Sequence, residues 1–371
     1  VQASQPAERT PAPEPPPEPS RPAAATQVQV ATIDHVGGTV LVLSGDRKTP
    51  AKSGGAISAG DGIDVGPAAF ATILYPDGTR LDLVPGTRVG EFGERAEKEG
   101  AGKWIRLDRG AITAQVAKQK PGQPLVLQTP QGDARVVGTT LRLLADLRRS
   151  LLEVEEGKVE LKNPTGKTVT VDAGHGAATS DLVSKPLQKT LFADTFESSP
   201  RNQWPKGWIK APTPDKAQRS SYVVIEDSGK HYMGCVGTPP AWTQHAAVPW
   251  DDWGAVGRIE FKLRAAGPRN TRAGMLIGSA VGEFFLEYDA STSMVKVEAG
   301  NRVIQQVPIR IAAGTWMDWS IQIERDRLHL SIDRKPVLDV DLKEYGPLQG
   351  ALMVSRGEDS AHFDDFKLLR R

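Results

Sequence analysis

Trp242, Trp250 and Trp253 stand close together around Asp251 and Asp252. Flat indole faces beside carboxylates are what a sugar ring stacks on and hydrogen-bonds to. The same tryptophans suit the core or a sheet edge of a β-sandwich; if a groove is lined, Trp250 and Trp253 are the pair to line it. Other chemistries find little support. A single cysteine excludes an intrachain disulfide framework and Cys₂ or Cys₄ zinc sites, and the six histidines form no H-x-H or H-x-x-x-H pair. There is no G-x-S-x-G elbow and no phosphate loop, and Gly37-Gly38 and Gly54-Gly55 precede strands rather than helices. A dispersed Ser-His-Asp set has nothing in its favour. Cys235, His175 and His245 read as a small buried residue, a turn residue and a residue among small neighbours. With 46 basic against 45 acidic side chains and a net charge of +1, no excess field attracts nucleic acid or anionic lipid.

The elements that would carry these residues are short β-runs. Residues 1–26 hold eight prolines and no aromatic, which predicts an extended, semi-stiff stalk. From 27 to 183, runs of about four to eight residues are broken by glycine. Phe70-Thr72-Leu74 and Leu81-Leu83 recur at every second position around Pro76-Asp77-Gly78, a hairpin signal. Leu141–Glu156 is rich in helix formers, yet Leu141/Leu143 and Leu152/Val154 alternate between Gly138 and Gly157, which also suits two strands turning near Arg148–Ser150; the hairpin is the expectation largely because this half resembles a known β domain. Seven of the eight tryptophans and seven of the nine phenylalanines lie after residue 190, so a second domain is expected over 190–371. There Ile321, Ile323, Leu328, Leu330 and Ile332 alternate with polar residues across Arg325-Asp326. The fold class is all-β, and no run approaches the length of a membrane helix.

Residues 28–180 resemble the FecR domain, the extracytoplasmic module of anti-sigma regulators and of many bacterial envelope proteins. The ordered marks are Gly37-Gly38-Thr39-Val40, Gly60-Asp61-Gly62-Ile63, Asp77-Gly78-Thr79, Leu83-Val84-Pro85-Gly86-Thr87, Leu107-Asp108-Arg109-Gly110, Thr129-Pro130, Val137-Gly138-Thr139, Val154-Glu155-Glu156-Gly157-Lys158-Val159 and Ala173-Gly174. Residues 190–371 resemble the concanavalin-A-like, laminin-G-like jelly roll of lectin modules and carbohydrate-binding domains. This second resemblance rests on Phe192-Ala193-Asp194-Thr195-Phe196-Glu197, Trp204 and Trp208, Gly314-Thr315-Trp316-Met317-Asp318-Trp319, Asp333-Arg334-Lys335-Pro336-Val337 and Phe363-Asp364-Asp365-Phe366.

The jelly-roll resemblance implies that its first and last strands pair, which would gather Asp194, Glu197, Asp364 and Asp365 as oxygen ligands for a structural calcium; no other cofactor is expected. Jelly-roll endoglucanases carry a Glu-x-Asp-x-x-Glu strand for retaining hydrolysis. Here Glu287-Tyr288-Asp289 supplies the first half and Thr292 replaces the second glutamate, with Glu283 on the wrong side of the motif. A solvated polar strand face and no catalysis are the expectation. The two resemblances imply an envelope protein in the periplasm or at the cell surface. Its FecR half would bind a protein partner, for signalling or scaffolding, and its jelly roll a surface ligand. The alternatives are a cell-surface carbohydrate-binding protein that takes a polysaccharide, and a self-associating surface or matrix component. The signalling members carry a cytoplasmic anti-sigma bundle and one membrane span ahead of the module. Since the chain opens at Val1, a processed product is expected whose missing N-terminus could hold a signal or anchor, its one membrane attachment.

Overall fold

The computed structural model describes residues 28–95, 102–210, 220–237, 242–248, 250–267, 271–300, 302–324, 326–357 and 360–371. The proline-rich tract 1–26 lies outside them. Among these residues every regular element is a strand except one 3₁₀ turn, Trp253–Ala255, and no helix is long and apolar enough to cross a membrane.

In the N-terminal half seventeen strands join into one hydrogen-bonded system. Its spine is the long strand Gly102–Val116. The first part of that strand pairs with Arg88–Arg95 and, in parallel, with Leu125–Thr129. The last part pairs with Arg80–Leu83 and Thr139–Ala145. Gly110, between the two parts, has φ +91°, and a Cβ there would lie 2.5 Å from Thr87 Cα; only glycine lets the spine pass from one layer to the other. The aliphatic core between the layers includes Ile33, Ile63, Ile73, Leu107, Ile112, Leu127, Leu143 and Leu152.

Leu141–Glu156 forms a hairpin despite its helix-forming composition. Thr139–Ala145 and Ser150–Glu156 pair antiparallel, Leu141 opposite Val154 and Leu143 opposite Leu152, and these three leucines and one valine are fully or almost fully buried. Asp146 Oδ1 accepts the backbone N–H groups of Arg148 and Arg149 at 2.6 and 2.9 Å, closing the turn. Burial of one alternating face outweighs a propensity worth a few tenths of a kcal/mol per residue. The Pro76-Asp77-Gly78 hairpin also forms, but its phase differs from the expectation. Ala71 and Ile73 face Leu83 and Leu81 in the core, Leu74 is 41% exposed, and Phe70 and Thr72 point the other way. Both phases of this strand carry apolar residues, so the pattern alone did not select one.

The C-terminal half is a jelly-roll sandwich of an eight-stranded and a seven-stranded antiparallel sheet. Thr190–Asp194 pairs with Ala361–Arg370, placing the first strand beside the last. In the eight-stranded sheet, Val256–Ala265 pairs with both Ala361–Arg370 and Met317–Glu324. The seven-stranded sheet centres on Leu348–Gly357, Arg272–Ser279 and Glu283–Asp289. Aromatic residues fill the space between: Phe261 stacks on Trp319 at 5.5 Å, and Trp208 meets Phe366 edge-on at 5.2 Å. Ile321, Ile323, Leu328, Leu330 and Ile332 all enter this core.

Candidate functional site

Trp253 and Asp252 of the tryptophan and aspartate group belong to the packing of the molecule. Trp253, 5% exposed, is a member of the sandwich core. Trp250 is half-buried against that core and donates its indole N–H to Asp252 O at 2.8 Å. Trp242 pairs through its backbone with Gly357; its side chain, like Pro249, is outside the described residues. Asp251 is exposed, whereas Asp252 holds both terminal nitrogens of Arg142 at 2.6 and 2.9 Å.

Arg142 lies in the N-terminal half, 3.7 Å from Glu153, and Glu153 accepts Arg370 at 2.8 Å. An alternating chain of charges, Asp252, Arg142, Glu153 and Arg370, thus ties the sandwich to the strand stack. Arg80 makes a second tie, donating twice to Asp326 at 2.8 Å. Between them Phe70 packs beneath Gly346, whose φ is +71° and whose added Cβ would come within 2.3 Å of the ring. A small cavity of about 60 Å³ remains at this seam, bordered by His35, Phe70, Trp253 and Leu348. Of the residues expected to form a sugar platform, Trp253 and Asp252 are taken up by packing, whereas Asp251 is exposed and Trp250 partly so. Trp253 is enclosed, and Asp252 is committed to a guanidinium.

The four carboxylates expected to hold calcium each have protein partners. The strand pairing sets Asp194 opposite Phe366, but its two oxygens accept Phe196 N–H and the Trp208 indole N–H, each at 2.7 Å. Glu197 accepts His231 N–H, Asp364 accepts Asp365 N–H, and Asp365 pairs with Lys262 at 2.5 Å. Burial and the nearby Asp365 and Glu197 charges raise the Asp364 pKa, yet among the described residues no group of three or more His, Cys, Asp or Glu side chains is placed to hold a metal ion.

Glu287 and Asp289 depart from the expected solvated face. They are 2% and 0% exposed, on the side of their strand opposite Phe284, Leu286 and Tyr288, which enter the core. Arg272 lies 3.5 Å from Glu287 and 3.3 Å from Asp289, and Lys296 donates to Asp289 at 2.8 Å. Asp289 also caps the following turn, accepting Ser291 N–H, Ser291 Oγ–H and Thr292 N–H. Burial opposes its ionisation, but the Lys296, Ser291 and Thr292 hydrogen bonds and the Lys296 charge prevail and hold its pKa at about 2. An acid so committed cannot shuttle a proton near neutral pH. Glu283, exposed, stands away from this cluster at the other end of the strand.

The sequence reading missed a fourth arrangement, on the outer face of the eight-stranded sheet. Leu263, Met317, Phe363 and Met233 point into the core, so their neighbours Arg264, Trp316, His362 and Tyr232 point outward. The Arg264 guanidinium lies over the Trp316 ring at 4.6 Å and the Tyr232 ring at 5.0 Å. Tyr232 meets His362 at 4.8 Å and Trp316 at 5.5 Å. Arg264 approaches His362 Nδ1 through Nε at 3.0 Å and a terminal nitrogen at 2.9 Å. Arginine only donates, so Nδ1 accepts and Nε2 bears the proton. Burial and the adjacent guanidinium push the His362 pKa down to about 4, leaving the ring neutral at physiological pH. Arg264 and Trp316 are half-buried, each keeping some contact with solvent. Below them the same face opens into a depression of about 590 Å³ bordered by Arg258, Lys262, Asp318, Arg334 and Lys367. The available signal was Trp316 in the polar phase of a strand whose Met317 and Trp319 are apolar and inward.

The FecR protein family model matches residues 61–160. No curated protein matches the chain. Among solved structures, a candidate anti-sigma factor from Parabacteroides distasonis is similar at 20% identity, covering 34% of this chain, with a TM-score of 0.30; the chain spans 59% of that protein's length. A carbohydrate-binding module of Bacillus subtilis is similar at 14% identity over 40% of this chain and 93% of its own, with a TM-score of 0.32. A Bacillus licheniformis β-glucanase gives 13% identity over 48% of this chain and 98% of its own, with a TM-score of 0.36. The chain carries a FecR segment followed by a jelly roll.

Proposed function

We propose that this is a non-catalytic envelope protein, exposed outside the cytoplasm, whose FecR half docks a protein partner while its jelly roll holds a surface saccharide. The FecR match motivates the location and the protein partner. The observation that carries the saccharide reading is the Arg264, Trp316, Tyr232 and His362 cluster. It offers aromatic surface, fixed donors and a neighbouring polar depression, the ingredients of a small-molecule site. Turnover is disfavoured because Asp289 is bound by Arg272 and Lys296, Glu287 sits beside Arg272, and Thr292 stands where a second acid would be needed. The test is a panel of soluble polysaccharides titrated into the full chain by calorimetry, with a reducing-sugar assay on the same mixtures. Binding that weakens on Trp316→Ala, with no new reducing ends, is the expected result. Release of reducing ends by pure protein, or no binding across the panel, would overturn it.

A further inference from the structure

The four-residue cluster holds its arginine on rings rather than on acids. Among the described residues, no carboxylate oxygen lies within 4 Å of Arg264, whereas Arg80, Arg142, Arg272 and Arg370 each have an acid partner. A guanidinium fixed on two aromatic faces and donating to a neutral imidazole is oriented but not neutralised. His362 uses one acceptor and only two of the five guanidinium N–H groups reach it. Cation–π contact accounts for about 0.5–2 kcal/mol of its placement and leaves the full positive charge in place. A planar fork with unused donors is matched by a carboxylate, which it can grip in a bidentate manner.

The surroundings narrow the bearer of that carboxylate. Trp316 supplies partly exposed indole surface against which the C–H face of a sugar ring can lie. The adjoining depression presents alternating donors and acceptors, Arg258, Lys262 and Lys367 against Glu260 and Asp318, rather than an apolar pocket for a peptide side chain. Such a lining suits ring hydroxyls. Lys262 and Asp365 pair with each other, while Arg334 and Lys367 add further positive charge to the depression, and Arg264 alone among these cations is held between aromatic faces.

We propose that Arg264, displayed on Tyr232 and Trp316, binds the carboxylate of a uronic-acid residue in an acidic polysaccharide. The proposal rests on the reading of the jelly roll as a saccharide-binding module and names its substrate class.

The experiment titrates the full chain with oligogalacturonate, with the same oligosaccharide after methyl esterification, and with a neutral glucan oligomer of equal length. Oligogalacturonate is expected to bind at least about tenfold more tightly than its methyl ester, an advantage of about 1.4 kcal/mol. Arg264→Gln should remove that advantage and Arg264→Lys restore part of it, because the charge returns without the planar fork. Arg327→Gln, which removes a surface cation paired with Asp339 away from the cluster, should leave affinity unchanged. Circular dichroism and the melting temperature confirm that each variant is folded. Equal affinity for the acid and its ester, or an acid preference that survives Arg264→Gln, overturns the uronate proposal while the saccharide reading stands. No binding of any of the three overturns both.

Discussion

Arg142 and Arg264 make a useful pair, because both side chains stand on β-strands and meet opposite fates. Arg142 is 7% exposed and sits between Asp252 and Glu153. Its two terminal nitrogens both meet Asp252, although its Nε finds no acceptor, and the result is a joint between two β cores. Arg264 has aromatic rings and a neutral imidazole in place of acids, and it keeps contact with solvent. A paired ion network holds structure together, whereas a charge left unsatisfied at an accessible place is available to a ligand.

The largest expected effect is at the seam. Trp253→Ala should cost about 3–5 kcal/mol of stability, the range for emptying a large aromatic site in a core, with saccharide affinity retained. Equilibrium urea unfolding and calorimetry on the same variant check both halves of that statement. A weakened affinity with unchanged stability would return Trp253 to the role of sugar platform. Arg142→Ala should cost about 3 kcal/mol, since it leaves Glu153 and Asp252 short of a buried partner. Arg142→Met should be milder than Arg142→Ala. Equal losses would show that charge, not packing, closes the joint.

Gly346→Ala should follow at about 1–3 kcal/mol, from a positive φ and a methyl group driven against Phe70. Its thermal unfolding should broaden toward two steps if the seam couples the two cores, while Gly45→Ala, with φ +58° and open space around the added methyl, should produce only the smaller backbone cost. Identical melts for the two variants would remove Phe70 from the joint.

On the other side of the comparison, acid acts on the cluster through His362. Its folded pKa of about 4 lies below the ordinary 6.5, so between these values the unfolded chain binds more protons than the folded one. Stability from this group is complete above about pH 6.5 and falls as the pH drops toward 4, by about 2 kcal/mol given partial exposure. Urea midpoints measured from pH 7 to pH 4 should show that slope, and His362→Gln should flatten it. Smallest in stability is Arg264→Gln, expected within about 1 kcal/mol of wild type, with its effect appearing in binding instead.

The β character and the two resemblances were legible because they rest on local signals, namely glycines at strand ends and period-two burial. Leu141–Glu156 shows how far this goes, since alternation of Leu141, Leu143, Leu152 and Val154 stood against strong helix propensity and the family resemblance decided for the hairpin. Phe70 marks where it stops. Its strand carries apolar residues in both phases, and the ring's true neighbour, Gly346, lies in the other half of the chain. Asp252 was misread for the same reason, because its partner Arg142 is remote in sequence. Glu287 and Asp289 looked solvated because charged residues usually are, and only the packed sheet brings Arg272 and Lys296 to them. The Arg264 cluster draws one residue from each of three strands and one from the turn before a fourth, a juxtaposition that strand order creates and no motif spacing announces.

The most direct test of the account follows the indole and guanidinium N–H resonances by NMR as oligogalacturonate is added to the full chain. The account predicts saturable shifts of the Trp316 indole N–H and the Arg264 Nε–H, with the Trp250 and Trp253 indoles unmoved. Shifts confined to Trp250 or Trp253, with Trp316 and Arg264 silent, would contradict it.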